Sequence, residues 1–245
     1  MTMPQAEASL EPVAFHAQLA ADWEQRYRKR SFRARHAVLA ECLHGLDLAG
    51  SSWLDAGCGT GTLSRWLAER GCYVLGVDAA SSMIEMATQL AKTQPHSDKL
   101  KFAKVETVAR LPVDDASMDG VLCSSVLEYV GDPRLCLAEF ARVLKTGGLL
   151  LASVPNRDSV VRRAQVACHR LGVRIGQDWL PFVRHSRHQY NVAEFVRLLG
   201  ECGLVAEKVL SFGSPLPRRV QRLRRAGSLL MFTARKCADL PSRPT

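Results

Sequence analysis

The central part of the chain alternates short apolar runs with longer segments in which apolar residues recur every three or four positions. The apolar runs predict β-strands, and the helical spacing predicts amphipathic helices between them. The predicted strands are 51–56, 72–77, 100–105, 119–124 and 149–154. The predicted helices are 61–70, 82–93 and 133–144. Strands that alternate with helices in this way predict an α/β fold with a doubly wound parallel sheet.

The two ends of this pattern differ from its centre. Residues 14–46 have helical spacing on both sides of a basic segment, which predicts two N-terminal helices. Gly147 and Gly148 predict a turn before the fifth strand, and the basic segment 157–188 has helical patches but no strand signal. The remaining predicted elements are a helix at 192–202 and strands at 204–212 and 229–235, which bring the sheet to seven strands.

A glycine-rich loop follows the first predicted strand in the stretch W-L-D-A-G-C-G-T-G-T-L, 53–63. Glycine is favoured where the backbone needs a positive φ or where another molecule contacts it, and loops at this edge of an open α/β sheet bind ligands. No lysine follows Gly61, which excludes a G-x-x-x-x-G-K-[ST] phosphate loop. The spacing G-x-G-x-G of Gly57, Gly59 and Gly61 also departs from the dinucleotide pattern G-x-G-x-x-G.

Two acidic residues narrow the choice of ligand. Asp55 stands two residues before the first glycine, where an acid repels a pyrophosphate but suits an ammonium group. Asp78 ends the second strand, where an acid suits the two hydroxyls of a ribose. A ligand with an ammonium group, a ribose and no phosphate is S-adenosylmethionine.

The loop motif L-D-A-G-C-G-T-G, followed by G-V-D at 76–78, closely resembles the class I S-adenosylmethionine-dependent methyltransferases. The segments V-E-T-V at 105–108 and C-S-S-V-L-E-Y-V at 123–130 are similar to the ubiquinone-biosynthesis O-methyltransferase branch. The segment 111–120 resembles the L-P-F-x-D-x-S-F-D stretch of the superfamily. The resemblance implies a Rossmann-like, doubly wound seven-stranded sheet with N-terminal helices and a helical insertion after the fifth strand.

The resemblance also implies which residues bind the cofactor. They are Asp55, Gly57, Gly59, Gly61, Asp78, Ala79, Met83, Glu106, Thr107, Val108 and Ser124. The three glycines would line the methionine moiety, and Asp78 would bind the ribose. Met83 would contact the face of the adenine, and the turn 106–108 would contact its edge. Ser124 falls where the ubiquinone-biosynthesis branch has a methionine that contacts the cofactor.

The resemblance to that branch makes Glu128 a candidate metal ligand. Tyr129, however, stands where the branch has the histidine of L-E-H-V, and we therefore expect no metal site. A hydroxyl acceptor then needs a side chain that takes its proton. The candidate residues are His188, His185, Tyr129 and Tyr190. Of these, we predict that His188 is the proton acceptor.

We expect a single methyltransferase domain over 13–236, with an insertion at 157–190 that covers the acceptor side. Trp179, Phe182 and Val183 would give this insertion an apolar inner face, which suits an aromatic or lipid-like acceptor. The tails predicted to be disordered are 1–12 and 237–245.

The composition agrees with a cytoplasmic globular enzyme. The 245 residues are 47% hydrophobic and 23% charged, and no apolar run approaches the roughly 20 residues that span a bilayer. The N-terminus is polar and carries acids, unlike a secretory signal. The eight cysteines stand singly and never as C-x-x-C, which favours reduced core residues over zinc ligands or disulfides.

The net charge of +9 leaves more than one class of partner open. Basic clusters at 26–35, 157–188 and 218–225 predict either solvated helix faces or an anionic partner. The first hypothesis is O-methylation of a hydroxylated aromatic, quinone-like or polyketide-like small molecule. One alternative is an RNA or DNA methyltransferase. Enzymes that methylate base amines usually have [DNS]-P-P-[YFW] after the fourth strand, and this chain has C-S-S-V there, which disfavours that alternative. The other alternative is a non-catalytic protein that binds a membrane surface through 217–225. Peripheral membrane contact and the oligomeric state stay open.

Overall fold

Seven β-strands form one mixed sheet at the centre of the protein. They are β1 (Ser52–Ala56), β2 (Tyr73–Asp78), β3 (Leu100–Lys104), β4 (Met118–Ser124), β5 (Leu144–Pro155), β6 (Leu204–Phe212) and β7 (Leu229–Lys236). Their order across the sheet is β3-β2-β1-β4-β5-β7-β6. The strands from β3 to β5 pair in parallel, whereas β7 is antiparallel to both of its neighbours. This arrangement confirms the predicted doubly wound α/β sheet.

Helices flank the sheet and connect its strands. They are α1 (Arg30–Cys42), α2 (Thr62–Ala68), α3 (Ser81–Lys92), α4 (Pro133–Val143), α5 (Val160–Arg174), α6 (Pro181–His185) and α7 (Val192–Glu201), with a short 3₁₀ helix at Ser97–Lys99. The computed structural model describes residues 14, 30–174, 181–213, 220, 223 and 225–237. The first predicted N-terminal helix and both predicted tails lie almost wholly outside the described residues.

β5 begins five residues earlier than the sequence predicts. Met118 pairs with Leu144 and Gly120 pairs with Leu149, so the register between β4 and β5 shifts at this point. Gly147 lies within the shift and has a φ of 76°. The two glycines that predicted a turn therefore form an irregularity inside a continuous strand, because a bulge absorbs the extra residues without ending the pairing.

Two apolar cores lie on the two faces of the sheet. Side chains alternate between the faces along a strand, so that neighbours in β1 enter different cores. Leu54 packs with Phe140 and Phe195 in one core, and Trp53 packs with Leu39 in the other. This burial on both faces explains why the central strands are continuous apolar runs in the sequence.

Capping residues fix where two helices begin near the functional edge. The Asn191 side chain accepts a hydrogen bond from the Glu194 amide, and the Glu194 side chain accepts one from the Asn191 amide. Asp132 caps the Arg134 amide at the start of α4. The segments just before these helices, 124–131 and 186–190, are thereby held at the carboxyl end of the parallel strands.

Candidate functional site

The glycine-rich loop after β1 has a backbone conformation that favours glycine at every second position. The φ angles are 76° at Gly57, 55° at Gly59 and 74° at Gly61, all in the left-handed region. A side chain in this region costs roughly 1–2 kcal/mol per residue. Of the two reasons for glycine that the sequence left open, positive φ therefore applies at all three positions.

The loop amides are consumed within the protein. Gly57 and Cys58 both donate to the carbonyl oxygen of Val77, at 2.8 and 2.9 Å, and Gly61 donates to the carbonyl oxygen of Cys58 at 3.0 Å. The amide of Gly59 donates to a carboxylate oxygen of Asp78 at 2.9 Å. A phosphate-binding loop points such amides at its ligand. This loop therefore suits a ligand without phosphate.

Two of the glycines also allow close packing of the loop. A Cβ atom at Gly57 would lie 2.2 Å from Cγ2 of Val126, in the turn after β4. A Cβ atom at Gly61 would lie 2.7 Å from the ring of Phe102, on β3. Tertiary packing therefore supplies a second reason for glycine at these positions, besides the expected contact with a ligand.

Asp78 ends β2 beside the glycine loop. One carboxylate oxygen accepts a hydrogen bond from Gly59 and the other accepts one from the Ala80 amide, each at 2.9 Å. Each oxygen keeps a second lone pair, and the residue is partly exposed, so that two further hydroxyl donors can bind. These two acceptor oxygens fit the two hydroxyl donors of a ribose.

The other predicted cofactor residues lie along the same edge of the sheet. The Val105 amide donates to the carbonyl oxygen of Asp78 at 3.0 Å, which brings the turn 106–108 beside the end of β2. Glu106 and Thr107 are exposed there. The remaining candidates are partly exposed Ala79 after β2, buried Met83 and Val108, and partly exposed Ser124 at the end of β4.

Asp55 lies beneath the loop instead of on its surface. The residue is 2% exposed, and one carboxylate oxygen accepts a hydrogen bond from the Ser64 hydroxyl at 2.6 Å. Burial raises the pKa of Asp55 to about 7, and the negative charge of Asp78 acts in the same direction. A cation bound nearby would favour the ionised carboxylate, which fits a ligand that carries an ammonium group.

The turn after β4 is strained and is held from two sides. Ser125 has a φ of 58°, a conformation that residues with a side chain rarely adopt. Its hydroxyl accepts a hydrogen bond from Nη2 of Arg35 on α1, at 2.6 Å. Its amide donates to the hydroxyl of Ser153 on β5, at 2.9 Å. An N-terminal helix is thus tied to the edge of the sheet that carries the cofactor motif.

Glu128 is a buried acid at the end of this turn. The residue is 3% exposed, and burial raises the pKa of its carboxyl group to about 7. Arg35, Arg162 and a hydrogen bond with Ser125 act in the opposite direction. Among the residues that the structure describes, the Oε2 atom of Glu128 makes no hydrogen bond. A buried carboxylate oxygen without a donor is costly, which points to a donor supplied by a ligand.

Helix α5 carries polar side chains with buried atoms, and one of them, Arg162, acts electrostatically on Glu128. Arg162 is 4% exposed, its Nη2 donates to the Ser186 hydroxyl at 2.8 Å, and burial lowers its pKa while Glu128 acts to raise it. Gln165, one turn further along the helix, also has a buried side-chain oxygen without a hydrogen-bond partner in the described chain. The predicted apolar inner face of the insertion is described only at Val183, which is buried. Trp179 and the side chain of Phe182 lie outside the described residues.

The structure places His188 beside the same turn. Its Nε2 lies 3.0 Å from the carbonyl oxygen of Val130, and because a carbonyl only accepts, Nε2 carries the proton. Nδ1 is then the basic nitrogen of the ring. The His188 and Arg187 amides also approach the carbonyl oxygen of Glu128, at 3.4 and 2.8 Å. Segment 186–190 is thereby attached to the end of β4.

The remaining candidates for proton transfer differ in environment. His185 ends α6 and is partly exposed. Burial raises the pKa of Tyr129 far above neutrality, and it raises the pKa of Tyr190 to about 12. Both phenols are therefore neutral near pH 7 and can donate a hydrogen bond but not act as a base.

The described residues contain neither a cluster of metal ligands nor a helix that could span a membrane. No group of three or more His, Cys, Asp or Glu side chains there has a geometry that could hold a metal ion. No described helix is both long and apolar enough to cross a bilayer. The buried cysteines include Cys58 and Cys123, whose thiol pKa values burial raises strongly, as expected of packing residues.

No pattern in the sequence places Arg35, Ser125, Glu128 and Arg162 together in the site. Arg35 and Arg162 come from two basic clusters that predicted only solvated faces or an anionic partner. Only their positions in α1 and α5 bring both guanidinium groups to Glu128. No spacing pattern in the sequence distinguishes Arg162 from the exposed Arg163 beside it.

Comparisons with known proteins agree with this geometry. A methyltransferase domain model matches residues 54–152. A ubiquinone biosynthesis O-methyltransferase of Idiomarina loihiensis is 34% identical over 147 residues, which cover 60% of this chain and 57% of that protein. The protein of the same name from Coxiella burnetii is 31% identical over 162 residues, which cover 64% of this chain and 67% of that protein.

Solved structures share the fold at lower identity. A methyltransferase from Thermotoga maritima aligns with a TM-score of 0.66 and 21% identity over 90% of this chain and 97% of its own. Magnesium protoporphyrin IX methyltransferase from Synechocystis, solved with bound S-adenosylmethionine, aligns with a TM-score of 0.65 and 18% identity over 94% of this chain and 97% of its own.

The chain belongs to the class I S-adenosylmethionine-dependent methyltransferases. It is therefore a methyltransferase whose cofactor is S-adenosylmethionine, and its relatives include proteins named as O-methyltransferases. The loop with consumed amides, the carboxylate of Asp78 and the buried acid of Asp55 fit this cofactor.

Proposed function

We propose that the protein transfers a methyl group to a hydroxyl of an aromatic, quinone-like or polyketide-like small molecule. The observation that carries this proposal is the orientation of His188 beside the 128–130 turn, where Nε2–H donates to the Val130 carbonyl and Nδ1 is left as the basic nitrogen of the ring. A hydroxyl acceptor needs such a group, because its proton must leave as the methyl group arrives. The relatives named as ubiquinone biosynthesis O-methyltransferases support the same acceptor class.

The cofactor residues follow from the positions of the motifs. We propose that Gly57 and Gly59 approach the methionine moiety, that Asp55 balances the positive charge of its ammonium group, and that Asp78 binds the ribose. Gly61 is proposed with the other glycines, although its Cβ direction is filled by Phe102. The other proposed contacts are Ala79, Met83, Glu106, Thr107, Val108 and Ser124.

The chemistry of the cofactor leaves the protein with a limited task. The bound cofactor supplies a methyl group on a sulfonium, which is an excellent leaving group. The protein must align the acceptor and remove its proton, and alignment alone can contribute several kcal/mol. The segments 124–130 and 186–190 flank the position where the acceptor would lie, and α5 would form its outer wall.

Ion pairs with acids account for part of the positive charge at the surface without nucleic acid. Described arginines that pair with acids at the surface include Arg134 with Glu201, Arg142 with Asp115 and Glu139, Arg157 with Glu194, and Arg235 with Glu207. Of these, Arg157 belongs to the basic segment 157–188. Such pairs favour solvated faces over a patch that binds phosphates. The cluster 217–225 lies mostly outside the described residues.

The test is an acceptor screen with purified protein and S-adenosylmethionine. Matched aromatic compounds that carry a hydroxyl, an amine or neither group are compared, and products are identified by mass spectrometry and NMR. We expect methyl ethers from hydroxyl compounds only. Transfer to the amine compounds alone would contradict O-methylation, and His188→Gln should reduce turnover without changing cofactor affinity.

A further inference from the structure

We propose that Glu128 is the group that first receives the proton of the acceptor hydroxyl, with His188 nearer to solvent as a route by which that proton leaves. This inference rests on the proposed O-methylation. Glu128 Oε2 is buried and makes no hydrogen bond among the described residues, although it belongs to a charged group. An acceptor O–H directed at Oε2 would satisfy that atom.

The position of Glu128 relative to the cofactor loop supports this role. Val126, two residues earlier, fills the space beside Gly57, so that the turn which carries Glu128 lies directly against the glycine loop. The Tyr129 amide donates to the carbonyl oxygen of Val126 at 2.9 Å, which closes the turn. The carboxyl group is thus attached to the same edge of the sheet as the cofactor motif.

The two arginines give Glu128 the electrostatic properties of a base. Burial alone would hold the carboxyl protonated, and a protonated acid cannot accept a proton. Arg35 and Arg162 both favour the carboxylate. Together with burial, which favours the protonated acid, they leave the pKa of Glu128 at about 7. Arg162 is buried, and Arg35 is partly exposed and hydrogen-bonded to Ser125. A general base is most effective when it is poised close to the working pH.

The step balances without a further reactant. The acceptor oxygen uses a lone pair to form the new O–CH₃ bond, and the electrons of the S–CH₃ bond return to sulfur. The O–H bond breaks, its electrons stay on oxygen, and its proton passes to Oε2 of Glu128. The sulfonium loses its positive charge, and the carboxylate becomes a neutral carboxylic acid. His188 is partly exposed and lies beside the 128–130 turn, where it can exchange that proton with water.

The test compares Glu128→Gln with His188→Gln, and Glu207→Gln on the exposed edge strand serves as the control. Turnover of a phenol found in the acceptor screen is measured from pH 5 to 9, and binding of S-adenosylhomocysteine is measured by calorimetry. We expect Glu128→Gln to lose about 100-fold or more in turnover and to lose the rise of rate with pH, with unchanged S-adenosylhomocysteine affinity. We expect the control to match the wild type in both measurements.

Infrared difference spectra give a readout that does not depend on turnover. The wild type with S-adenosylhomocysteine should show a protonated carboxyl band that titrates near neutral pH, shifts on addition of the phenol, and is missing from Glu128→Gln. A band that does not respond to the phenol would overturn the assignment.

Two further outcomes separate the inference from the function on which it rests. If Glu128→Gln does not fold, Glu128→Asp is tested in its place. Its carboxyl group is withdrawn by one methylene, which should lower turnover at least tenfold. Unchanged turnover would overturn the assignment. If Glu128→Gln keeps wild-type turnover and its pH dependence, Glu128 is not the base although O-methylation stands. Absence of methyl ether from every hydroxyl compound with the wild type contradicts O-methylation itself.

Discussion

Nη2 of Arg35 lies 2.6 Å from the hydroxyl oxygen of Ser125, although the two residues are 90 positions apart in the chain. The contact ties helix α1 to the strained turn at the end of β4. Because the same guanidinium group favours the carboxylate of Glu128, this contact links the N-terminal part of the domain to the protonation of the proposed site.

Removal of the Arg35 charge should therefore move the pH dependence of turnover. Arg35 lowers the pKa of Glu128, so Arg35→Met should raise that pKa. The carboxylate then forms only at higher pH, and the midpoint of the rate profile should shift upward by about one unit. Arg163→Met removes an exposed cation from α5 and is the matched control. An unshifted midpoint in Arg35→Met would contradict the effect of Arg35 on the pKa of Glu128.

Asp78→Asn should weaken cofactor binding and leave the fold intact. The amide keeps one oxygen but loses the charge that strengthens hydrogen bonds to ribose hydroxyls. Its NH₂ group replaces one of the two oxygens that accept from the Gly59 and Ala80 amides. A loss of about 1.5–3 kcal/mol corresponds to a fall of roughly ten- to a hundred-fold in affinity. Calorimetry with S-adenosylhomocysteine measures this change, with Asp98→Asn on the exposed 3₁₀ helix as the control. Equal dissociation constants would remove Asp78 from the cofactor site.

Gly61→Ala should destabilise the domain by about 1–4 kcal/mol. The alanine would have to keep the left-handed backbone conformation of Gly61, and its Cβ would lie 2.7 Å from the ring of Phe102. Chemical denaturation measures the free energy of unfolding of the variant and the wild type. Gly131→Ala is the matched control, because nothing lies within 4 Å of its Cβ direction and its φ is ordinary. Equal effects of the two substitutions would contradict the close packing of the loop against β3.

Asp55→Asn should change stability in a pH-dependent way. The folded-state pKa of Asp55 is raised from 3.8 to about 7, so the proton stabilises the fold. That stabilisation is complete below the unfolded pKa and is lost as the pH rises through about 7. The asparagine variant lacks this loss, and its stability relative to wild type should rise by about 1–4 kcal/mol between pH 4 and pH 8. Urea denaturation at both pH values checks this, and a difference that does not vary with pH would contradict the buried acid.

Catalysis should be independent of divalent metal. Tyr129 occupies the position of the histidine in L-E-H-V, and a neutral tyrosine with a raised pKa is a poor ligand. Turnover of a phenol is measured after dialysis against a chelator, with and without added magnesium. We expect equal rates, whereas activity that disappears with chelator and returns with magnesium would show a metal site.

The sequence by itself determined the sheet and the cofactor class. Apolar runs that alternate with helical spacing predicted where strands and helices follow one another along the chain. They are recognisable because a strand that is buried on both faces is a continuous apolar run. Gly57, Gly59 and Gly61 were recognisable because positive φ restricts the residue type locally, and Asp55 and Asp78 were placed by their spacing from that loop. The signals at these positions are local in the chain.

Only the tertiary structure decided the surroundings of the acceptor. Gly147 and Gly148 read as a turn, and pairing with β4 made them part of β5. From the sequence, Glu128 was a candidate metal ligand by resemblance, and Arg35 and Arg162 were members of basic clusters. Their meeting depends on where α1 and α5 pack on the sheet, and contacts between residues far apart in sequence leave no periodic pattern in either segment. Burial, which sets the pKa of Glu128 near neutrality, is likewise a property of the assembled fold and not of the residue.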